Sequence, residues 1–491
     1  MAVDLQAYIQ QNRALSAQNA QLAAQVQALA EEITKLHRII ASANQHRFGK
    51  KSETAGSLQL ELFSFDTPPA PAVEEEIEIA GHKRTVRRVK TPDCIPVTET
   101  VRYLPKETEC PCCKTELSTI GEDVTTQIEY QPARFTKTEH VKVKKACRSC
   151  DQGGVYTGII PDGVIPLEGC RPGASLLSAI AVGKYKDHLP LHRQEEIYKR
   201  HGVALSRKTM CNWVEKIVEV LDPLYKLIHR KLLEQNYLHA DETTIKVQSI
   251  DKTGYLWGLH SPSAKLLYFH YNKSRAGSVA SGQLFGDAFT GTVLTDAYAG
   301  YNGILLPHSV ERVACLAHVR RKFVEARKIA LTECDAVLKL VAKLYQIEKE
   351  KDLDIRFINR QKNAPPILDK LFSYLKALQS SLLPRHALQE ALSYAVKQEA
   401  EIRRYITNPI FEIDNNCLER LIRPIAVGRK NYLFAGSENG ARWAAALYTI
   451  IGCCTLAKIN PYDYLCDVLL RIQTTKIQQI ESLLPHNWDK N

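Results

Sequence analysis

No stretch of this chain is apolar for the roughly 20 residues that a bilayer crossing takes, and its N-terminus lacks the charged-then-apolar layout of a secretory leader. The expectation is a soluble, cytosolic protein with no membrane role. Tyrosines are plentiful, yet none stands among arginines and histidines in the arrangement that a covalent tyrosine recombinase needs. A nucleophilic side chain is therefore set aside. The fourteen cysteines do not imply disulfides, because a cytosolic chain keeps its thiols reduced. Acidic charge is the scarcer sign: the net charge of +11 suits a polyanionic partner. At 491 residues the chain exceeds one ordinary core, so several domains are expected.

Residues 1–46 carry a heptad seam, with Tyr8, Leu15, Leu22, Leu29 and Leu36 on one position and Leu5, Val26, Ile33 and Ile40 on the other. Asn12 and Asn19 share the position of Val26, where a polar residue sets register in a parallel two-stranded coil. Homodimerisation is the expected consequence. Residues 47–100 read as a basic and Pro-rich linker. It opens on Arg47, Phe48, Gly49, Lys50 and Lys51, where Arg47, Lys50 and Lys51 are expected to touch phosphate, and it holds a second basic run at 83–90.

Within residues 101–165 two CxxC turns, Cys110 with Cys113 and Cys147 with Cys150, provide four thiolates for one tetrahedral zinc. Such a zinc is structural, since four thiolates leave no open position; Cys112 is a spare or alternative ligand. A strand-like segment, 124–143, separates the turns. Residues 166–232 read as helices, and Gly202 precedes a helix that Ser206 caps and that presents Arg207, Lys208 and Asn212 in its first turns. This is a helix-turn-helix layout whose second helix meets DNA.

From residue 233 the pattern turns to strands at 238–248, 254–260 and 266–271, with a turn at 251–254, then a helix near 276–285 and strands ending at Asp296 and spanning 310–315. A strand that reads as buried has little reason to carry a carboxylate unless a cation offsets its cost. Asp241 and Glu242 fall on opposite faces of the first strand, so one of them faces a cleft with Asp296 and, far along the chain, Glu419; alternation does not decide which. Three such carboxylates suit two Mg2+ or Mn2+ ions better than zinc. The catalytic parts span 233–330 and 408–457. Between them, 331–407 reads as a helical insertion with a polar break at 352–366, and 458–491 as a C-terminal helix. Cys315 and His318 supply only two ligands, so they read as structural or as orienting the site, with His318 alternatively near the scissile phosphate. Arg320, Arg321, Arg423, Arg429 and Lys430 are expected DNA contacts.

Taken together, Arg47 to Glu53, the two CxxC turns, His239-Ala240-Asp241-Glu242-Thr243, Thr295-Asp296-Ala297-Tyr298, Cys315 to Phe323, Ile413 to Arg420 and Gly428 to Ser437 resemble the insertion sequence 66 family of bacterial transposases. The resemblance runs over nearly the whole chain. It implies a ribonuclease H-like α/β catalytic domain within a multidomain α+β chain, with Asp241, Asp296 and Glu419 as the catalytic and Mg2+- or Mn2+-binding triad. It also implies cleavage at terminal inverted repeats, strand transfer into target DNA, helper proteins encoded alongside in many members, and a cytoplasmic, nucleoid-associated place in bacteria. Lys114, Cys417 and Leu418 depart from the family's usual residues without removing a ligand. Two rivals stand beside this expectation: a non-catalytic zinc-containing DNA-binding regulator derived from a transposase, and a nuclease that only hydrolyses DNA.

Overall fold

A computed structural model describes residues 100, 112, 134–146, 155–167, 172–250, 252–286, 289–302, 310–382 and 388–489. The heptad segment, both basic runs with Arg47, Lys50 and Lys51, and Cys110, Cys113, Cys147 and Cys150 lie outside the described residues. Apart from Thr100 and Cys112, the description concerns one compact unit, Gln131–Asn491.

Strands β1 (Lys144–Ala146) and β2 (Val155–Thr157) form a small antiparallel pair. Residues 134–143 carry no regular strand, so the strand-like character expected over 124–143 resolves, among the described residues, into a shorter strand just beyond it. Helices α1 (Ala174–Tyr185), α2 (Leu191–Arg200) and α3 (Arg207–Leu233) follow. Gly202 turns the chain between α2 and α3 at φ 80°, a conformation in which a Cβ is strained. The Ser206 hydroxyl accepts the Thr209 amide at 3.1 Å, capping α3. Along α3 the buried residues Met210, Val214, Ile217, Leu221, Leu224 and Ile228 alternate four and three apart, one continuous apolar stripe. That stripe carries the helix on through Pro223.

The central sheet holds β3 (Tyr237–Val247), β4 (Lys252–Ser261), β5 (Leu266–Asn272), β6 (Thr292–Thr295) and β7 (Glu311–Ala314) in the order β5-β4-β3-β6-β7. The first three are antiparallel; β6 and β7 continue parallel to β3. Lys252 and Thr253 already pair with Val247 and Lys246, so the β3–β4 turn falls earlier than the expected 251–254. Helices α4 (Leu316–Ala326), α5 (Leu331–Ile347), α6 (Leu353–Ser381), α7 (Leu388–Val396) and α8 (Glu399–Arg404) come next, then α9 (Asn416–Tyr432), α10 (Glu438–Ala457) and α11 (Pro461–Arg471). The polar break expected at 352–366 is overturned. Asp352 instead caps α6 through the Asp354 and Ile355 amides, and the helix runs through Pro365 and Pro366 because buried Arg360 fastens it to its neighbours.

Two hydrophobic cores flank the sheet. One joins α1, α3, α9, α10 and α11 to β3, β4 and β5; the other joins α4 to α8 to the β6 and β7 side. Helix α10 is 20 residues long and apolar enough to cross a bilayer, which corrects the expectation that no such run exists, but it is mostly buried in the first core. Its role there is specific. Strand β5 is a sheet edge, and α10 covers it: Thr449 Oγ1 accepts the Phe269 amide at 2.8 Å, and Cys453 Sγ accepts the Leu267 amide at 3.3 Å. An edge whose amides are answered by side chains is not a template for further strands.

Candidate active site

Parallel register brings two of the expected residues side by side. His239 pairs with Leu294 and Thr295 with Ala314, so two further residues along β3 place Asp241 beside Asp296, and one further residue along β7 places Cys315 next to them. All three sit where the parallel strands end, the edge at which open α/β sheets bind ligands. Across β3 in the antiparallel direction Asp241 faces Gly258. A Cβ on Gly258 would meet Phe269 at 3.0 Å and Leu418 at 3.4 Å; its absence lets α9 lie close over the strand, with Glu419 one residue after the fully buried Leu418.

The start of α9 is pinned by Asn415, which is buried. Its Oδ1 meets His239 Nδ1 at 2.9 Å, its Nδ2 donates to the Ala240 carbonyl at 3.0 Å, and its amide donates to Cys315 Sγ at 3.2 Å. One amide side chain thereby ties α9 to β3 immediately before Asp241. Asp414 completes the turn by accepting from the Asn416 amide, the Asn416 side chain and the Tyr345 hydroxyl.

Electrostatics record the convergence. Burial pushes the Asp241 carboxyl well above its ordinary value, and the nearby charges of Glu242, Asp296 and Glu419 push it further. The Glu242 amide opposes this by donating to Asp241 Oδ1 at 2.8 Å. Glu419 is held from the far side, with Arg321 Nη2 3.3 Å from one oxygen and His318 Nε2 3.7 Å from the other. Burial depresses the His318 pKa despite that carboxylate.

Glu242 has other partners. Its side chain is only 4% exposed, accepts from Arg275 Nε at 2.8 Å and accepts the Tyr301 hydroxyl at 2.7 Å. Arg275 stacks over Tyr298, whose amide donates to Asp296 Oδ1 at 2.9 Å. Arg312, buried on β7, donates to the Asp296 carbonyl at 3.0 Å.

The remaining expected residues disperse. Arg207, Lys208 and Asn212 are exposed on the first turns of α3, Arg207 pairing with Glu195 at 3.1 Å. Arg321, Arg423 and Lys430 are exposed, while Arg320 is half-buried. Arg429 donates to the carbonyl and hydroxyl of Thr244, a bond that fastens α9 to β3. Cys315 is buried and caps α4, and burial lifts its thiol well above the usual range. A cavity of about 360 Å³ lined by Asn236, Gly291, Glu311 and Phe411 lies at the opposite, N-terminal ends of β6 and β7.

The sequence also matches, over residues 169–443, the family described as "Transposase IS66 family". That is more than half of the chain. It belongs to the insertion sequence 66 family of transposases. Three shorter matches agree: "zinc-finger binding domain of transposase IS66" over 107–151, "IS66 C-terminal element" over 449–486, and "Transposase C of IS166 homeodomain" over 35–100. The family membership makes this a transposase with zinc-finger and DNA-binding elements. Among its relatives are two proteins of Sinorhizobium fredii strain NGR234. "Uncharacterized protein y4jD" is 27% identical, covering 96% of this chain and 98% of that protein; "Uncharacterized protein y4hP" is 30% identical, covering 94% and 89%.

Sequence reading missed Asn415, Arg275, Tyr301 and Arg312. Asn415 stands within the Ile413 to Arg420 stretch that carries the family resemblance, but no spacing rule says which amide of a turn becomes buried.

One pH dependence follows from this turn. Partial burial, with the side chain 38% exposed, and then the charge of Asp414 push Glu412 from 4.5 up to about 7. His239 lies 3.7 Å away but is held to about 3 by burial and by His260, so it is neutral and offers no ion pair. The folded state therefore binds the Glu412 proton more tightly than the unfolded state. Its contribution to stability is complete below pH 4.5 and is lost as pH rises through about 7. Relative to Glu412→Gln, the wild-type melting temperature is expected to fall across that window. Parallel curves for the two proteins would show that Glu412 is not so perturbed.

Proposed function

We propose that this transposase binds the terminal inverted repeats of its element, cleaves the DNA ends and transfers the strands to target DNA, with Asp241, Asp296 and Glu419 as its catalytic carboxylates. The observation that carries the reading is the meeting of three carboxylates at the carboxyl ends of parallel strands, where burial first, and then the charges of Glu242, Asp296 and Glu419, raise the proton affinity of Asp241. Like charges held together out of water call for a cation. Glu419 Oε1, buried with no hydrogen-bond partner, offers one of its ligand atoms. The strand order, three antiparallel strands continued by two parallel ones, supports a ribonuclease H-like assignment.

Asp241, Asp296 and Glu419 would hold Mg2+ or Mn2+, and such ions, when bound, would supply activation of a water or 3′-hydroxyl and charge neutralisation for an in-line displacement at phosphorus. Asn415 fixes the approach of α9, His318 and Arg321 orient Glu419, and Arg312 and Tyr298 fix the loop of Asp296. Arg320, Arg321, Arg423 and Lys430 are assigned to the DNA backbone near the cut, and Arg207, Lys208 and Asn212 to end recognition by α3. Arg429 is assigned to holding α9, given its bonds to Thr244. Zinc held by Cys110, Cys113, Cys147 and Cys150 is structural, residues 1–46 pair two copies, and element-encoded helper proteins join the assembly. The protein acts on nucleoid DNA in the bacterial cytoplasm.

Purified full-length protein is to be incubated with labelled element ends, a target plasmid and Mn2+. Nicked ends joined to target are expected. Cut ends without joined product indicate a nuclease, and retention of the ends without cutting, helpers included, indicates a non-catalytic regulator.

A further inference from the structure

Beside the first turn of α9, three donor atoms of different chemistry converge. The Cys315 sulfur, a ring nitrogen of His318 and a carboxylate oxygen of Glu419 lie within 4.8 Å of one another. Cys315 is buried, and the side chains of His318 and Glu419 are 20% and 19% exposed. Glu419 Oε1, 3.7 Å from His318 Nε2, is buried without a hydrogen-bond partner, a cost that a bound cation offsets. The sulfur already receives the Asn415 amide at 3.2 Å, a contact that supports negative charge on sulfur. Arg321 holds the other oxygen of Glu419, leaving Oε1 to ligate.

We propose that Cys315, His318 and Glu419 form a zinc site, distinct from the paired CxxC turns, with three protein ligands and one open position. Sulfur and imidazole with a single carboxylate select Zn2+ over Mg2+. Bonds of about 2.0–2.3 Å set tetrahedral ligand atoms about 3.3–3.8 Å apart, so the trio closes on the ion by side-chain rotation of about 1 Å. Glu419 belongs to both sets. Zinc therefore draws it toward α4 and away from Asp241 and Asp296, and occupancy competes with Mg2+-dependent cleavage. That competition, unlike the binding itself, rests on the three-carboxylate reading above.

The test measures zinc per chain in the full-length wild type, Cys315→Ser and His318→Gln after zinc loading and dialysis against a weak chelator. Zinc on the paired CxxC turns is common to all three proteins and cancels. The wild type is expected to hold about one more zinc than either variant, and with cobalt in place of zinc it should show extra visible absorption relative to His318→Gln. Equal metal content in all three overturns the site. Loss in Cys315→Ser alone also overturns it, because a site built on both side chains loses its ion when either one is changed. Added zinc should slow Mg2+-dependent cleavage at least about tenfold more in wild type than in His318→Gln; equal slowing overturns the competition. Cleavage by Glu419→Gln at the wild-type rate would sink the three-carboxylate reading and leave the metal count standing.

Discussion

Glu419→Gln and Asp241→Asn are each expected to lower cleavage of element ends by about a thousandfold or more while leaving end binding intact. Both substitutions keep the shape of the side chain and remove one charge that a pair of divalent ions would need. Stability provides a second, independent check. Asp241 is raised well above its ordinary value by burial first and by Glu242, Asp296 and Glu419 after it. An acid with a raised folded-state pKa contributes stability that is complete below its unfolded value, 3.8, and lost as pH rises through the folded one. Asparagine imitates the protonated acid. Metal-free Asp241→Asn should therefore melt above metal-free wild type at pH 7, and Mg2+ should raise the melting temperature of wild type but not of the variant. A variant that melts lower without metal, and still responds to Mg2+, would remove Asp241 from the site.

Arg360→Met is expected to cost about 3–5 kcal/mol, the largest loss of stability from any single change proposed here. The Arg360 side chain is fully buried and all three guanidinium nitrogens are engaged: Nε and Nη2 reach the two oxygens of Glu348 at 2.9 and 2.6 Å, and Nη1 donates to the Tyr405 and Asn408 carbonyls, both at 3.0 Å. Methionine fills much of the volume but leaves Glu348, only 11% exposed, with a charge largely out of water. Arg356 stands 3.8 Å from that carboxylate and compensates in part. The double variant Arg360→Met with Glu348→Leu should recover part of the loss, since both charges go together. Recovery stays incomplete because the buried Tyr405 carbonyl loses its Arg360 donor, at about 1–3 kcal/mol, whereas the Asn408 carbonyl keeps the Phe411 amide at 3.3 Å. Chemical denaturation of the three proteins measures this, and a single variant within about 1 kcal/mol of wild type would show the guanidinium to be dispensable. The effect reaches the site: Asn408 stands shortly before the turn at 411–416, so loosening it frees the segment that delivers Glu419.

The elements best legible in the sequence were those whose cause is local. Strands β3, β4 and β5 declared themselves by β-branched and aromatic runs, and α3 by its cap. Failures fell where tertiary contacts override local preference. Two adjacent prolines and a polar run suggested a break inside α6, yet Arg360 anchors that stretch to Glu348, Tyr405 and Asn408 and the helix continues. Nothing in the sequence of α10 announced that Thr449 and Cys453 would answer the amides of an edge strand.

By itself the sequence determined which residue types stand at which positions: carboxylates after β-rich runs, paired thiols, a capped basic helix, an amide-rich turn. These are properties of short windows, where side-chain period and turn chemistry act directly on the neighbouring backbone. Only the tertiary structure decided which carboxylates meet. Parallel register sets Asp241 beside Asp296, Gly258 admits α9, and Asn415 fixes the start of that helix more than a hundred residues after Asp296. The assignment of Glu242 to Arg275 and Tyr301 was settled in the same way. A strand's alternation gives two faces; what packs on each face is fixed by the rest of the chain.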